Sequence, residues 1–323
     1  MAKKEQLSHD VISFGTVYLD LDFLSFPFVE GIFAHRETVG DQYKLEVGGS
    51  AFNFAKICAS LGLEVLFVGK IGQDPIGAVL KQIASKGKVH TRFIESRDES
   101  TQTNLAAHYV HEDGTSIMTS AGSANQRLSP EDVETAVKEE LPKTKYLYLG
   151  GGLKLLSLLP SYPQLIEAAK KHGVKVILDH GRVTNLVTED HKRIIHSIIP
   201  DIDIYLPSRD EFLDMWSFSS LEQGLQEMEE KLKGIVVIKD STNGSHSIEN
   251  GKTIVVPPVP VTPVNTIGAG DSFNAGFIRA DALGIEGLEQ KMQFASASAG
   301  IKISTNQPPT QEDVQRFVEQ YYQ

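Results

Sequence analysis

The chain has 323 residues, of which 41% are hydrophobic and 23% charged, with a formal net charge of −11. This is the composition of a globular protein long enough to bury a large core, and its acidic balance, with no basic stripe, argues against nucleic-acid binding as the main task. Cys58 is the sole cysteine, which excludes an intrachain disulfide or a cysteine metal cluster; its neighbours Ala55, Ile57, Ala59 and Leu61 suggest an inert buried thiol.

In chain order, Met1 to Asp10 is polar and lacks the apolar core of a signal peptide. No apolar run approaches the roughly 20 residues of a membrane span. A cytoplasmic protein with no membrane partner is expected. Short apolar runs at Val11–Phe14, Val65–Val68, Tyr146–Leu149, Val174–Leu178, Ile202–Leu206 and Ile235–Ile238 read as buried strands. Helical patterns lie between them at about 51–61, 75–86, 130–140, 161–172, 189–199 and 219–232, and Ser129-Pro130 opens one of them as cap and first turn. Such alternation implies a mainly parallel sheet with helices on both faces, whose ligands gather beyond the carboxyl ends of the strands. Residues 17–47 and 101–121 break the pattern and suit a small β layer, the second with a turn at Glu112-Asp113-Gly114. Asn250-Gly251 predicts a further hairpin between Ser247–Glu249 and Thr253–Val256.

Two glycine-rich helix starts carry the chemistry. Gly268-Ala269-Gly270-Asp271 precedes apolar residues at helical spacing, Ala275, Phe277, Ile278, Ala280 and Leu283. A helix start offers unpaired N–H groups and the positive end of the macrodipole to an anion such as phosphate, and Asp271 adds a carboxylate at its mouth. A plain turn with Asp271 as N-cap would look the same. A dinucleotide fingerprint fits poorly, because its third small position is Phe273. The second start is Gly48-Gly49-Ser50-Ala51-Phe52-Asn53-Phe54-Ala55. Its paired glycines permit close approach of a ligand, and Asn53 has the donor and acceptor to bind a polyol or to act as a local cap.

Gly48 to Gly72 resembles the N-terminal signature of the PfkB, or ribokinase-like, carbohydrate kinase family: Gly-Gly-x-Ala-x-Asn-x-Ala, six residues, Gly, nine residues, Gly. Asn265 to Ile278 resembles the C-terminal signature, with its core Asp-Thr-x-Gly-Ala-Gly-Asp. The two occur in the right order, and the strands and helices between them arrive in the family's order. The resemblance implies a three-layer α/β/α fold over 1–323 as one kinase domain, with 17–47 and 101–121 as a β lid.

The resemblance also implies roles. Asp271 would be the catalytic base, and Gly268, Ala269 and Gly270 the anion hole. At a helix N-terminus Asp271 is expected to stay ionised at neutral pH, a weak base whose position matters more than its basicity. Asp20, in Gly15-Thr16-Val17-Tyr18-Leu19-Asp20, matches the family's sugar-binding aspartate, with Asp22 as a competitor of poorer spacing; Gly48, Gly49 and Asn53 complete the sugar platform. Glu211, in Ser208-Arg209-Asp210-Glu211, would organise Mg²⁺ through water, although Ser-x-x-Glu is also a capping box. Lys239, Ser241 and Gly244 resemble the nucleotide-side loop, with Ser241 in place of a glycine; Thr266, Ser296 and Ser298 join the ATP side. Arg182 is one position too early for the arginine of an Asp-Pro-Asn-x-Arg segment, and a surface role suits it equally. His108 and His111, three apart on a strand, would face opposite ways and are not read as a metal pair.

The expected activity is ATP- and Mg²⁺-dependent phosphorylation of a hydroxymethyl group on a small unphosphorylated sugar. A nucleoside kinase of the same fold is the alternative, for which Phe26, Phe28 and Phe33 would supply a slot for the base. A non-catalytic binding protein is the alternative from another class. A homodimer through the lid is compatible with the aromatic content of 17–47. Asn265 stands where the family's aspartate lies close to a monovalent-cation site, so little or no K⁺ activation is expected.

Overall fold

The computed structural model describes residues 9–24, 42–111 and 116–322. The turn at Glu112-Asp113-Gly114 and the aromatic residues Phe26, Phe28 and Phe33 lie outside them. The described strands are β1 Val11–Gly15, β2 Tyr18–Leu24, β3 Gln42–Gly48, β4 Val65–Ile71, β5 His90–Glu95, β6 Leu105–Val110, β7 Ser116–Ala121, β8 Tyr146–Gly150, β9 Lys175–Asp179, β10 Ile204–Tyr205, β11 Ile235–Lys239, β12 Ser245–Glu249 and β13 Lys252–Val256. Nine form the main sheet in the order β13-β12-β11-β10-β9-β8-β1-β4-β5. From β11 to β5 every pairing is parallel, and β12 and β13 append an antiparallel edge.

The period-2 alternation of strand side chains divides the core in two. Val11, Val65, Phe67, Tyr146 and Tyr148 face one layer, formed by α1 Ser50–Ser60, α2 Pro75–Ala84, α8 Ala269–Ala282, α9 Leu288–Thr305 and α10 Gln311–Tyr322. Ile12, Phe14, Leu66, Leu147 and Leu149 face the other, formed by α3 Pro130–Glu139, α4 Tyr162–Lys171, α5 Glu189–Ile198, α6 Arg209–Trp216 and α7 Leu221–Lys231. Strands buried on both faces read as continuous apolar runs, which is why they stood out in the sequence. Ile202–Leu206 is the exception: the ladder spans only Ile204–Tyr205, because a turn at Ile199–Asp201 precedes it and Pro207 follows.

Helix starts follow their caps. Asp74 Oδ1 accepts Gly77 N–H at 2.7 Å ahead of α2, and Ser129 N–H donates to Asp132 Oδ2 at 2.9 Å ahead of α3. The Asn250-Gly251 hairpin forms as expected: both residues have positive φ, 53° and 73°, and Glu249 pairs with Lys252 across the turn.

The remaining strands form a second sheet in the order β3-β2-β6-β7, in which β2 and β6 are parallel and the outer pairs antiparallel. β2 leaves the carboxyl end of β1 after two residues, and β3 runs straight into α1. The small sheet therefore stands over the carboxyl edge of the main one.

Candidate active site

Four chain segments meet at that carboxyl edge: the start of α8, the start of α1, and the ends of β9 and β11. Gly268 caps α8 at φ 78°, a left-handed conformation that suits glycine. The N–H groups of the first helical turn have no intrahelical acceptor. Ala269 N–H is held by Thr266 O at 3.2 Å, and Gly268 O accepts Ser272 N–H at 2.9 Å, which fixes the loop against the helix. Upstream, Asn265 is buried; its N–H donates to Ile303 O at 3.1 Å and its Oδ1 accepts Ile267 N–H at 2.9 Å.

Asp271 lies on the first turn of α8, where that helix start meets the start of α1. Its Oδ1 accepts a 2.7 Å hydrogen bond from Ser50 Oγ, and Asn53 also hydrogen-bonds to its carboxylate. Enclosure by protein pushes its pKa up to about 7, helped by the nearby Asp179 carboxylate and opposed by Ser50, Lys239 and Asn53. This corrects the expectation of a fully ionised Asp271. The favourable helix terminus is outweighed by desolvation, which favours the neutral carboxyl.

Behind Asp271 is a polar cluster whose members the sequence did not link. Lys239 Nζ donates to Asp179 Oδ2 and to Asn274 Oδ1, each at 3.0 Å. Asn274 Nδ2 in turn donates to Asp179 Oδ2 at 2.7 Å and lies 3.1 Å from Tyr148 Oη. Asp179 and Asn274 are both buried, and the Lys239 ammonium holds the Asp179 carboxyl below its ordinary range despite burial. A Cβ placed on Gly270 would lie 3.6 Å from Lys239 Nζ, so the ammonium stands against the helix start. Asn274 follows Asp271 by three residues and shares its helix face, the one signal that could have singled it out. Ser50 sat unremarked within the Gly-Gly-Ser run.

On the small-sheet side, Gly49 has φ 97°, and a Cβ there would lie 2.6 Å from Thr16 O. The Asp20 carboxylate lies directly over Gly48, where any side chain would displace it. His108, buried on β6, has Nε2 3.7 Å from Asp20 Oδ1 and stands opposite Asp22 in the β2–β6 register. Asp20 and Asp22 thus share one face, and burial raises the pKa of Asp22. Asn53 is turned toward Asp271 and toward Gly268, from whose Cβ position its Nδ2 is 3.9 Å away.

On the opposite side, Glu211 Oε2 accepts Ser208 N–H at 2.9 Å in a capping box at the start of α6. His180, wholly buried, feels the Glu211 and Asp179 charges, and its Nε2 has no hydrogen-bond partner. Ser241 and Gly244 form the turn after β11, with φ 49° and 85°. Ser241 thus adopts the conformation that explains a glycine at the corresponding family position. Thr266 is exposed beside Asn265, and Arg182 is exposed in the loop after β9. Ser296, buried on α9, hydrogen-bonds with Tyr322 of α10, and Ser298 bonds with Ser272 Oγ at 3.0 Å to lock α9 to α8. The structure therefore gathers Asp271, Gly268, Ala269, Gly270, Asn53 and Lys239 at one point. It gives Ser298 a packing role.

A three-layer α/β/α core with a small sheet over its carboxyl edge is the ribokinase-like fold. Residues 8–313 match the family described as pfkB family carbohydrate kinase, and the chain belongs to that family. It is 27% identical to 5-dehydro-2-deoxygluconokinase of Bacillus subtilis, over 98% of this chain and 97% of that one. It is 25% identical to ribokinase of Haemophilus influenzae, over 87% and 90%. Among solved structures, a putative ribokinase II from E. coli superposes with a TM-score of 0.81 at 17% identity, covering 97% of this chain and 99% of that chain. Arabidopsis thaliana ribokinase complexed with ribose and ATP gives 0.73 at 22% identity, covering 96% and 99%. The protein is a sugar kinase of this family.

Proposed function

We propose that the protein transfers the γ-phosphoryl group of ATP to a hydroxymethyl group of a small unphosphorylated sugar or sugar acid. The observation that carries this reading is Asp271, a carboxyl on the first turn of α8 whose Oδ1 is bonded to Ser50 at the start of α1, so that the two glycine-rich helix starts meet at one carboxylate. Asp271 takes the proton of the acceptor hydroxyl as its oxygen attacks the γ-phosphorus, and ADP leaves. Gly268, Ala269 and Gly270 supply N–H groups to the charge on the transferring phosphoryl group. For all three to act, Ala269 N–H must turn from Thr266 O toward the phosphate.

Asp20, Gly48, Gly49 and Asn53 supply the acceptor side. The relatives' names make 5-dehydro-2-deoxygluconate the first acceptor to test and ribose the second. Lys302 supports an acidic acceptor, since its Cε lies 3.7 Å from the Cβ position of Gly268. Lys239, Ser241, Gly244, Thr266 and Ser296 are assigned to the ATP side.

The donor set suits Mg²⁺, which accompanies ATP in a second E. coli ribokinase II structure. Glu211 keeps one carboxylate oxygen beyond its capping bond, a hard ligand that reaches such an ion best through water. Among the described residues no group of three or more His, Cys, Asp or Glu could hold a metal, so phosphate and water oxygens would fill most of its shell. Bound there, the ion would neutralise phosphate charge.

A homodimer through the lid is supported by a row across the small sheet, Tyr43–Phe23–Tyr109–Ile117, in which Tyr43 is 68% exposed. Light scattering of the wild type and Tyr43→Glu tests it: a monomeric wild type removes the dimer. The catalytic reading is tested by ADP release with Mg²⁺ against pentoses, hexoses, keto-deoxy acids and nucleosides. ADP above background with a sugar or sugar acid is expected. Release with nucleosides alone would move the assignment to a nucleoside kinase, and none with any acceptor would remove it.

A further inference from the structure

The Asp179–Lys239–Asn274 cluster joins two buried side chains to a lysine 12% exposed, is held by mutual hydrogen bonds and is built from three separate elements, β9, β11 and α8. Such an arrangement is costly to bury, and removing one partner strands the others. Its location gives it a use. The only cation in it, Lys239 Nζ, is held between Asp179 Oδ2 and Asn274 Oδ1 and lies 3.6 Å from where a Cβ on Gly270, the residue before Asp271, would stand.

We infer that Asp179 is a positioning residue for phosphoryl transfer: with Asn274 it holds the Lys239 ammonium beside the start of α8, and its own carboxylate and that ammonium, acting in opposite senses, together set the electrostatic field in which Asp271 works. The inference rests on the reading of Asp271 as base. Two opposite charges stand near Asp271, and they act on it with opposite sign. The Asp179 carboxylate disfavours a second negative charge, and the Lys239 ammonium favours it. The other groups facing Asp271 are neutral at working pH: Ser50 and Asn53 from α1, and Tyr148 from β8, whose phenol burial holds well above its ordinary range. Lys302 from α9 approaches Gly268 and is hydrogen-bonded to Asn306. His180 faces Asp179 and Glu211, and burial lowers its pKa.

A merely structural cluster would lower the rate at every pH when damaged. A field-setting cluster moves the pH profile, and in opposite directions for its two ends. The experiment is the pH dependence of kcat/KM from 5.5 to 9 for wild type, Asp179→Asn, Lys239→Met and Lys239→Arg, with carboxyl-carbon NMR titration of Asp271 as a readout independent of turnover. Asp179→Asn should move the acid-limb midpoint down by about one unit, Lys239→Met should move it up by about one unit, and Lys239→Arg should restore the wild-type value. Each of the first two variants tests the direction alone if the other does not fold. Unchanged midpoints, or shifts of the same sign, overturn the inference. Failure of the underlying reading looks different: Asp271→Asn would then keep its rate whatever Asp179 does.

Discussion

Ser50 and Asp271 are 221 positions apart in the sequence, yet Ser50 Oγ donates a 2.7 Å hydrogen bond to Asp271 Oδ1. The bond joins the first residue of α1 to the first turn of α8, so the two glycine-rich helix starts meet at one point. It also stabilises the charged form of Asp271. Ser50→Ala should therefore raise the acid-limb midpoint of kcat/KM above that of the wild type, while the plateau rate at pH 9 changes less. A pH–rate profile checks both; a midpoint that falls would contradict the assignment.

Asp271 should weaken the fold while it serves the reaction. Its folded-state pKa, about 7, lies above the ordinary carboxylate value of 3.8, so the folded state binds the proton more tightly than the unfolded one. That stability is complete below the unfolded value and is lost as pH rises through about 7. Asp271→Asn should be more stable than wild type at pH 8 by roughly 1–3 kcal/mol, with the difference closing near pH 4. Urea denaturation at both pH values measures this.

Asp281 behaves in the opposite sense. Its carboxylate receives hydrogen bonds from Lys175 at 2.7 Å, Lys291 at 2.6 Å and Tyr146 at 2.7 Å, joining α8 to β8, β9 and α9. These bonds outweigh desolvation and hold its pKa at about 2. The stabilisation is present above the unfolded value and is lost as pH falls through about 2. Asp281→Asn should cost about 1–2 kcal/mol at pH 7 and almost nothing at pH 2. Paired denaturation curves decide it, and a constant difference across pH would exclude the charge as the cause.

Ser241 carries a measurable strain. At φ 49° it occupies the left-handed region, which costs a residue with a Cβ about 1–2 kcal/mol. Ser241→Gly removes that cost and gives back part of it in unfolded-chain entropy, for a net gain of about 0.5–1 kcal/mol. Thermal unfolding of the two proteins compares them; a lower Tm for the glycine variant would show that the serine side chain does more than tolerate the turn.

Asn265 bears on cation dependence. Its Oδ1 is occupied by Ile267 N–H, and a neutral amide attracts K⁺ less than a carboxylate would. Initial rates with K⁺ or a matched bulky cation should agree within about twofold, and Asn265→Asp should introduce K⁺ activation. A several-fold rise for the wild type in K⁺ would contradict this.

The core strands and the helix starts were legible because buried parallel strands are written as apolar runs and caps as short polar signatures. α9 was not, since Ala295, Ser296, Ala297, Ser298, Ala299 and Gly300 give it small residues on every side and no amphipathic stripe. α10 was overlooked although Val314, Phe317, Val318 and Tyr321 mark an apolar face. β5, with His90 and Arg92 in it, reads as polar because it is an edge strand. Within the site, the motif residues were visible one by one, Asp179 as the start of the Asp179-His180-Gly181-Arg182 segment after a strand. Asn274, and the link of both to Lys239, were not, because what unites them is the meeting of β9, β11 and α8.

The central claim is that Asp271 accepts the proton of a sugar hydroxyl during phosphoryl transfer. The most direct measurement is acceptor-dependent ADP release at pH 8 by wild type and Asp271→Asn, with ATP binding to each measured alongside. The variant should bind ATP as the wild type does and turn over at least about 100-fold more slowly. An Asp271→Asn protein that phosphorylates its acceptor at the wild-type rate would contradict it.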